Sequence, residues 1–134
     1  MIELSKKGAI AAPFARQLYW TFFAAGPVEQ AVTNRSMGWN VGDDPQIQGR
    51  MGYGTYERTM GVLSALFETR DFVCGDRFTA ADIYVGSAVD WGLQFKTIPE
   101  TPALRRYAER LSAREAYKAA KAIDGAHIAA MQTK

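Results

Sequence analysis

The sequence predicts an all-α fold: about five or six helices packed around one buried central helix at about residues 79–91. Three observations carry this. Thr79 followed by Asp82 is a capping box, with Asp in place of the usual Glu, and it starts a helix at a defined residue. The run behind it, Ala80 to Trp91, is apolar almost all round, with Asp90 its only other charge, so it belongs inside a bundle. No segment alternates apolar and polar residues as a half-buried strand does.

Each element has its own signal. Met1 to Ala12 shows no clear periodicity and reads as an extended or frayed lead-in. Pro13 suits the first turn of a helix, and Phe14, Leu18, Phe22 and Ala25 then recur at helical spacing. Gly26 and Pro27 should kink or break that helix, because Pro27 cannot donate its backbone bond. Val28, Ala31 and Val32 continue it to about Arg35. Residues 37–52, with Gly38, Gly42, Pro45, Gly49 and Gly52, read as an irregular segment that leaves room for a short helix.

Tyr53, Tyr56, Met60, Leu63 and Phe67 form the stripe of an amphipathic helix over 53–69. Residues 71–77 connect it to the capping box, where Phe78 and Ile83 are spaced as a hydrophobic staple. Thr101 and Pro102 read as N-cap and first-turn proline, with Leu104, Tyr107, Ala108 and Leu111 as the buried face behind them. Ser112 with Glu115 reads as a second capping box, opening a short helix that stops near Gly125. The organisation expected is a lead-in over 1–12, one helical domain over 13–124 and a tail over 125–134.

With 134 residues the chain holds one domain and one core. Its formal charge of +2 is scattered, which argues against a nucleic-acid partner. No apolar run approaches the roughly 20 residues that span a bilayer, so no membrane contact is expected. The single cysteine excludes an internal disulfide and suits a reducing, cytoplasmic location. Cys74 reads as a buried structural thiol and His127, the only histidine, as a solvated tail residue. Asp82 is explained by capping. Asp90 needs a partner such as Arg58 or Arg105, or else a cleft to face. Asp43 and Asp44 have no further oxygen ligands at useful spacing, so no metal site is expected.

The run Gly75-Asp76-Arg77-Phe78-Thr79-Ala80-Ala81-Asp82 resembles the start of the core helix in the C-terminal domain of glutathione S-transferases, where a Gly-Asp-x-x-Thr-x-Ala-Asp pattern opens that helix. The resemblance continues through Trp91 to Phe95, Pro102 to Tyr107 and Arg114 to Lys118, and upstream through Trp20 to Pro27. It spans about Ala12 to Asp124. Glu115 departs from the family's common Arg-Pro-Ala-Tyr, but it too can start a helix. The resemblance implies the helical half of a two-part protein. The other half, a thioredoxin-like domain, holds glutathione and the group that activates its thiol.

A glutathione nucleophile near neutral pH needs that thiolate-stabilising group. No catalytic residue is therefore expected in this chain, and no cofactor, with glutathione entering only if a thioredoxin-like partner domain is supplied. In the family the first helix and the end of the core helix border the substrate pocket. The resemblance thus implies an apolar-ligand wall of Tyr19, Trp20, Phe23, Trp91 and Phe95, although an aromatic stripe at helical spacing is more often core. The function expected is a stand-alone, non-catalytic domain that binds a hydrophobic small molecule or a protein partner, and a homodimer is expected. The alternative is the substrate-pocket half of a transferase whose glutathione-binding domain is on another chain or was cut away.

Overall fold

Helices alone build the described chain. In the computed structural model, which describes the backbone of residues 2–132 and the side chains of residues 12–132, α1 (Ile2–Phe23) runs through a π-helical turn (Ala24–Val28) into α2 (Glu29–Ser36). Then come α3 (Pro45–Arg50), α4 (Tyr56–Leu66), α5 (Ala80–Gln94), α6 (Pro102–Ser112) and α7 (Glu115–Gln132). Among the described residues no strand forms; the isolated bridge between Phe72 and Gly75 closes a tight turn. α5 packs against α1, the π turn and α6, while α4 packs against α2, the π turn and α6. The core between them holds Met60, Leu63, Val85, Val89, Leu104 and Tyr107, and the Tyr107 ring stacks on Phe67 with centroids 3.7 Å apart.

The capping box forms at Thr79 and Asp82. The Asp82 carboxylate is buried and accepts four hydrogen bonds. Oδ2 takes the Thr79 amide (2.8 Å) and the Thr79 hydroxyl (3.0 Å), and Oδ1 takes the Val73 amide (2.7 Å) and the Tyr107 hydroxyl (3.1 Å). One side chain thus starts α5, fixes the 71–77 turn and ties α6 to both. Ile83 stays 62% exposed, and the Phe78 ring lies under the Arg114 guanidinium, 3.3 Å from its centroid.

The kink expected at Gly26 and Pro27 is the π turn, in which the amide of Glu29 bonds the Ala24 carbonyl five residues back. Thr101 caps α6 as predicted, accepting from the Leu104 amide at 3.3 Å. Asp44 likewise caps α3 through the Gln46 amide at 2.8 Å, and Thr55 caps α4 through the Arg58 amide at 3.1 Å.

Several expectations are corrected. The lead-in is helical from Ile2, placing Pro13 inside α1; Leu4, Lys6, Lys7, Ala9 and Ala11 are good helix formers, and their summed propensity carries the helix past the proline. Met1 lies outside the described residues. Ser112 does not open a helix. It ends α6, and its hydroxyl donates to the Glu109 carbonyl at 3.0 Å. α7 runs through Gly125 to Gln132, because one glycine costs only about 1 kcal/mol in a helix otherwise rich in Ala, Lys and Ile. The tail is therefore helical as far as it is described, His127 is an exposed residue of α7, and residues 133–134 lie outside the described residues.

The largest difference concerns α5. It is buried on one face only. That face carries Ala81, Asp82, Val85, Gly86, Val89 and Gly92, whereas Tyr84, Trp91 and, just past the helix, Phe95 are roughly half exposed. The reason is size. A Cβ at Gly86 would collide with Leu111, and a Cβ at Gly92 would lie 2.8 Å from three atoms of Ile98. Neighbouring elements approach α5 where its side chains are smallest, so its large aromatics turn outward.

Candidate ligand-binding site

The outward aromatics meet a second wall. Tyr84, Ala88, Trp91 and Phe95 recur at i, i+4, i+7 and i+11 along and just past α5, which places them on one stripe. Facing them, the π turn and α2 supply Ala24, Val28, Val32 and Thr33, with Glu29 at the rim. Between the walls lies an open-sided trough of about 660 Å³, a size suited to a small organic ligand. Trp91 and Phe95 are stacked, with centroids 5.1 Å apart and ring planes 19° apart, so the two rings stand as one apolar block on this wall.

The end of α5 holds that surface in place. The amide of Thr97 donates to the Gly92 carbonyl (2.9 Å) and that of Lys96 to Leu93 (3.3 Å), a Schellman closure with Lys96 at a left-handed φ of 56°. Ile98 then folds back on Gly92, and the Tyr56 hydroxyl donates to the Thr97 carbonyl at 2.8 Å. The segment after Phe95 is thus anchored to both α4 and α5.

Of the five residues expected to form one wall, the structure brings Trp91 and Phe95 together and places the other three outside the trough. Tyr19, Trp20 and Phe23 form their own edge-to-face ladder on α1, with centroids 5.0 and 5.5 Å apart. Trp20 and Phe23 are half-buried against the core, and Tyr19 is 61% exposed. Sequence reasoning missed Tyr84, Val28, Val32 and Glu29. Tyr84 was detectable, because it shares the helical stripe of Trp91. The α2 wall was not, because it depends on how the π turn redirects the chain.

A smaller hollow of about 360 Å³ lies between α5 and α7. Asp90 faces it, but neither Arg58 nor Arg105 is its partner; Arg105 pairs with Glu100. Instead the Tyr117 hydroxyl donates to Asp90 Oδ2 at 2.8 Å, and Lys121 Nζ lies 3.4 Å from the same oxygen. Burial, then the bond and charge of Asp90, push the Tyr117 phenol above its ordinary value, with Lys121 pulling the other way. Burial pulls Lys121 down, but Tyr117 and Asp90 outweigh it and the ammonium is raised. The cluster is therefore a clasp of a neutral phenol and an ion pair that ties α7 to α5.

Cys74 is half-buried against the core, and the Thr79 hydroxyl lies 3.8 Å from its sulfur. Among the described residues no group of three or more His, Cys, Asp or Glu side chains is placed to hold a metal, and no helix is long and apolar enough to cross a membrane.

The fold and the capping box both find their counterpart in a known family. The family model of the glutathione S-transferase C-terminal domain matches residues 54–115, from just before α4 to the start of α7. The match includes the capping box, the aromatic stripe of α5 and the Thr101 cap; α1, the π turn and α2 lie outside it. No curated protein and no solved structure matches the chain. Over residues 54–115, then, this chain carries a glutathione S-transferase C-terminal domain.

Proposed function

We propose that this helical domain is a non-catalytic binding module whose trough takes a flat apolar small molecule. The observation that carries the reading is the stacked Trp91 and Phe95 pair. Two large aromatics, each about half exposed beside the trough, offer area burial and further ring stacking. The test is titration with a neutral, polarity-sensitive dye such as Nile red. One saturable site per chain is expected. Trp91→Ala should weaken it at least about tenfold, as truncating a central aromatic contact does, whereas Trp39→Ala, in the 37–44 loop, should not. Equal affinity of the Trp91→Ala variant and the native chain would refute the site. Conjugation of glutathione to a chromogenic electrophile, run alongside, should show no turnover above the uncatalysed rate. Turnover would favour the alternative, a substrate-pocket half of a transferase.

A second reading concerns self-association. Phe14, Leu18 and Phe22 recur at i, i+4 and i+8 on α1, and Phe14 and Phe22 are 61% and 69% exposed, with Tyr19 beside them at 61%. Three aromatics this exposed offer roughly 100–150 Å² each, a large part of the ~800 Å² per partner that a stable dimer buries. A second copy of the chain is the occupant that fits, laid helix against helix. Sedimentation velocity should show a dimer that Phe22→Asp converts to monomer. A native chain that stays monomeric at high micromolar concentration would end this reading.

A further inference from the structure

The trough carries a sign as well as a shape. Of the residues lining it, only Glu29 is charged; the rest are apolar, aromatic, small or hydroxyl-bearing. Its carboxylate is exposed at the rim and, among the described residues, takes part in no ion pair. A helix terminus does not account for it. The chain enters α2 directly from the π turn, and the amide of Glu29 is already bonded to Ala24, so no free helix start lies there to attract an anion. The opposite wall adds the aromatic side chains of Tyr84, Trp91 and Phe95, and aromatic rings attract cations through their π-electron clouds. Lys121 stands 5.8 Å from the Trp91 ring centroid, outside the trough lining, and its charge is offset by Asp90; Lys96, between the lining residues Phe95 and Thr97, is exposed and likewise outside the lining.

From this we infer that the trough selects lipophilic cations: flat aromatic ligands carrying an ammonium group. The ring lies on Trp91 and Phe95, and the ammonium is directed to the Glu29 rim. The inference rests on the trough being a binding site, as proposed above, and adds its charge preference. The hollow between α5 and α7 does not compete for the same ligand, because its Asp90 carboxylate is already engaged by Tyr117 and Lys121.

Three probes of one shape test this: naphthylmethylammonium, naphthylmethanol and naphthoate, each titrated calorimetrically into the full chain at low ionic strength. The ammonium probe should bind about three- to tenfold more tightly than the alcohol, and naphthoate most weakly, as expected for an exposed carboxylate backed by aromatic faces. Glu29→Gln should bring the ratio of ammonium to alcohol affinity to about one, with circular dichroism confirming that the variant is folded. Equal binding of ammonium and alcohol, or an advantage that survives Glu29→Gln, would overturn the charge preference while leaving the trough intact. Failure of all three probes to bind would overturn the trough itself, and this inference with it.

Discussion

Replacing Asp82 with alanine is expected to destabilise the fold by about 3–5 kcal/mol, the scale for stranding buried donors that shared a charged acceptor. The carboxylate is 1% exposed and accepts from Val73, twice from Thr79, and from Tyr107. Its loss leaves the buried Val73 amide and Tyr107 phenol, and the part-buried Thr79 amide, with no acceptor. Asp82→Asn keeps one acceptor oxygen but turns an NH₂ group toward donors, so an intermediate loss of about 2 kcal/mol is expected. Urea unfolding followed by circular dichroism measures both. An alanine loss below about 1 kcal/mol would mean that the four bonds merely offset the cost of burying the charge.

Tyr107 gives the same network a pH signature. Burial first, and then the charge and bond of Asp82, push its phenol far above the ordinary 10.0. The folded phenol therefore stays neutral where the unfolded one ionises. Its contribution is fully present below about pH 10 and is lost as pH rises beyond that, at about 1.4 kcal/mol per unit. Tyr107→Phe should remove this share of the alkaline slope, at the cost of the one bond it makes to the carboxylate.

What could be read from the sequence was what is local. Thr79 with Asp82 and Thr101 with Pro102 act within one helical turn, so their spacing was sufficient to place two helix starts. The same reasoning failed at Ser112 with Glu115, where the pattern is present but the Ser112 hydroxyl serves the helix it ends. Partners across helices were out of reach. Nothing within α5 tells that Asp90 will meet Tyr117 and Lys121, because α7 supplies them. Nor does an almost uniformly apolar helix disclose its buried face. In α5 the face was chosen by Gly86 and Gly92, which let Leu111 and Ile98 approach closely, and that choice put Trp91 and Phe95 into the candidate site. The pairing of Trp91 with Phe95 was legible from their spacing, whereas their separation from Tyr19, Trp20 and Phe23 is a matter of tertiary packing.

Gly92→Val tests that account of α5. Valine is a slightly better helix former than glycine, by a few tenths of a kcal/mol. The steric term is larger and opposes it. Three atoms of Ile98 lie 2.8 Å from where the first new carbon would stand, and a buried β-branched isoleucine has little freedom to swing aside. Overpacking of this kind is expected to cost about 2–3 kcal/mol net. Because Gly92 also accepts from the Thr97 amide, the closure after Phe95 should loosen, and dye binding in the trough should weaken with it. Ile98→Ala alone should cost about 2–5 kcal/mol by opening a cavity. Combined, the two changes should cost at least about 1 kcal/mol less than their sum, since the valine refills the space that the isoleucine vacates. Strict additivity would show that Ile98 is not what the glycine admits, and that the outward turn of Trp91 has another cause.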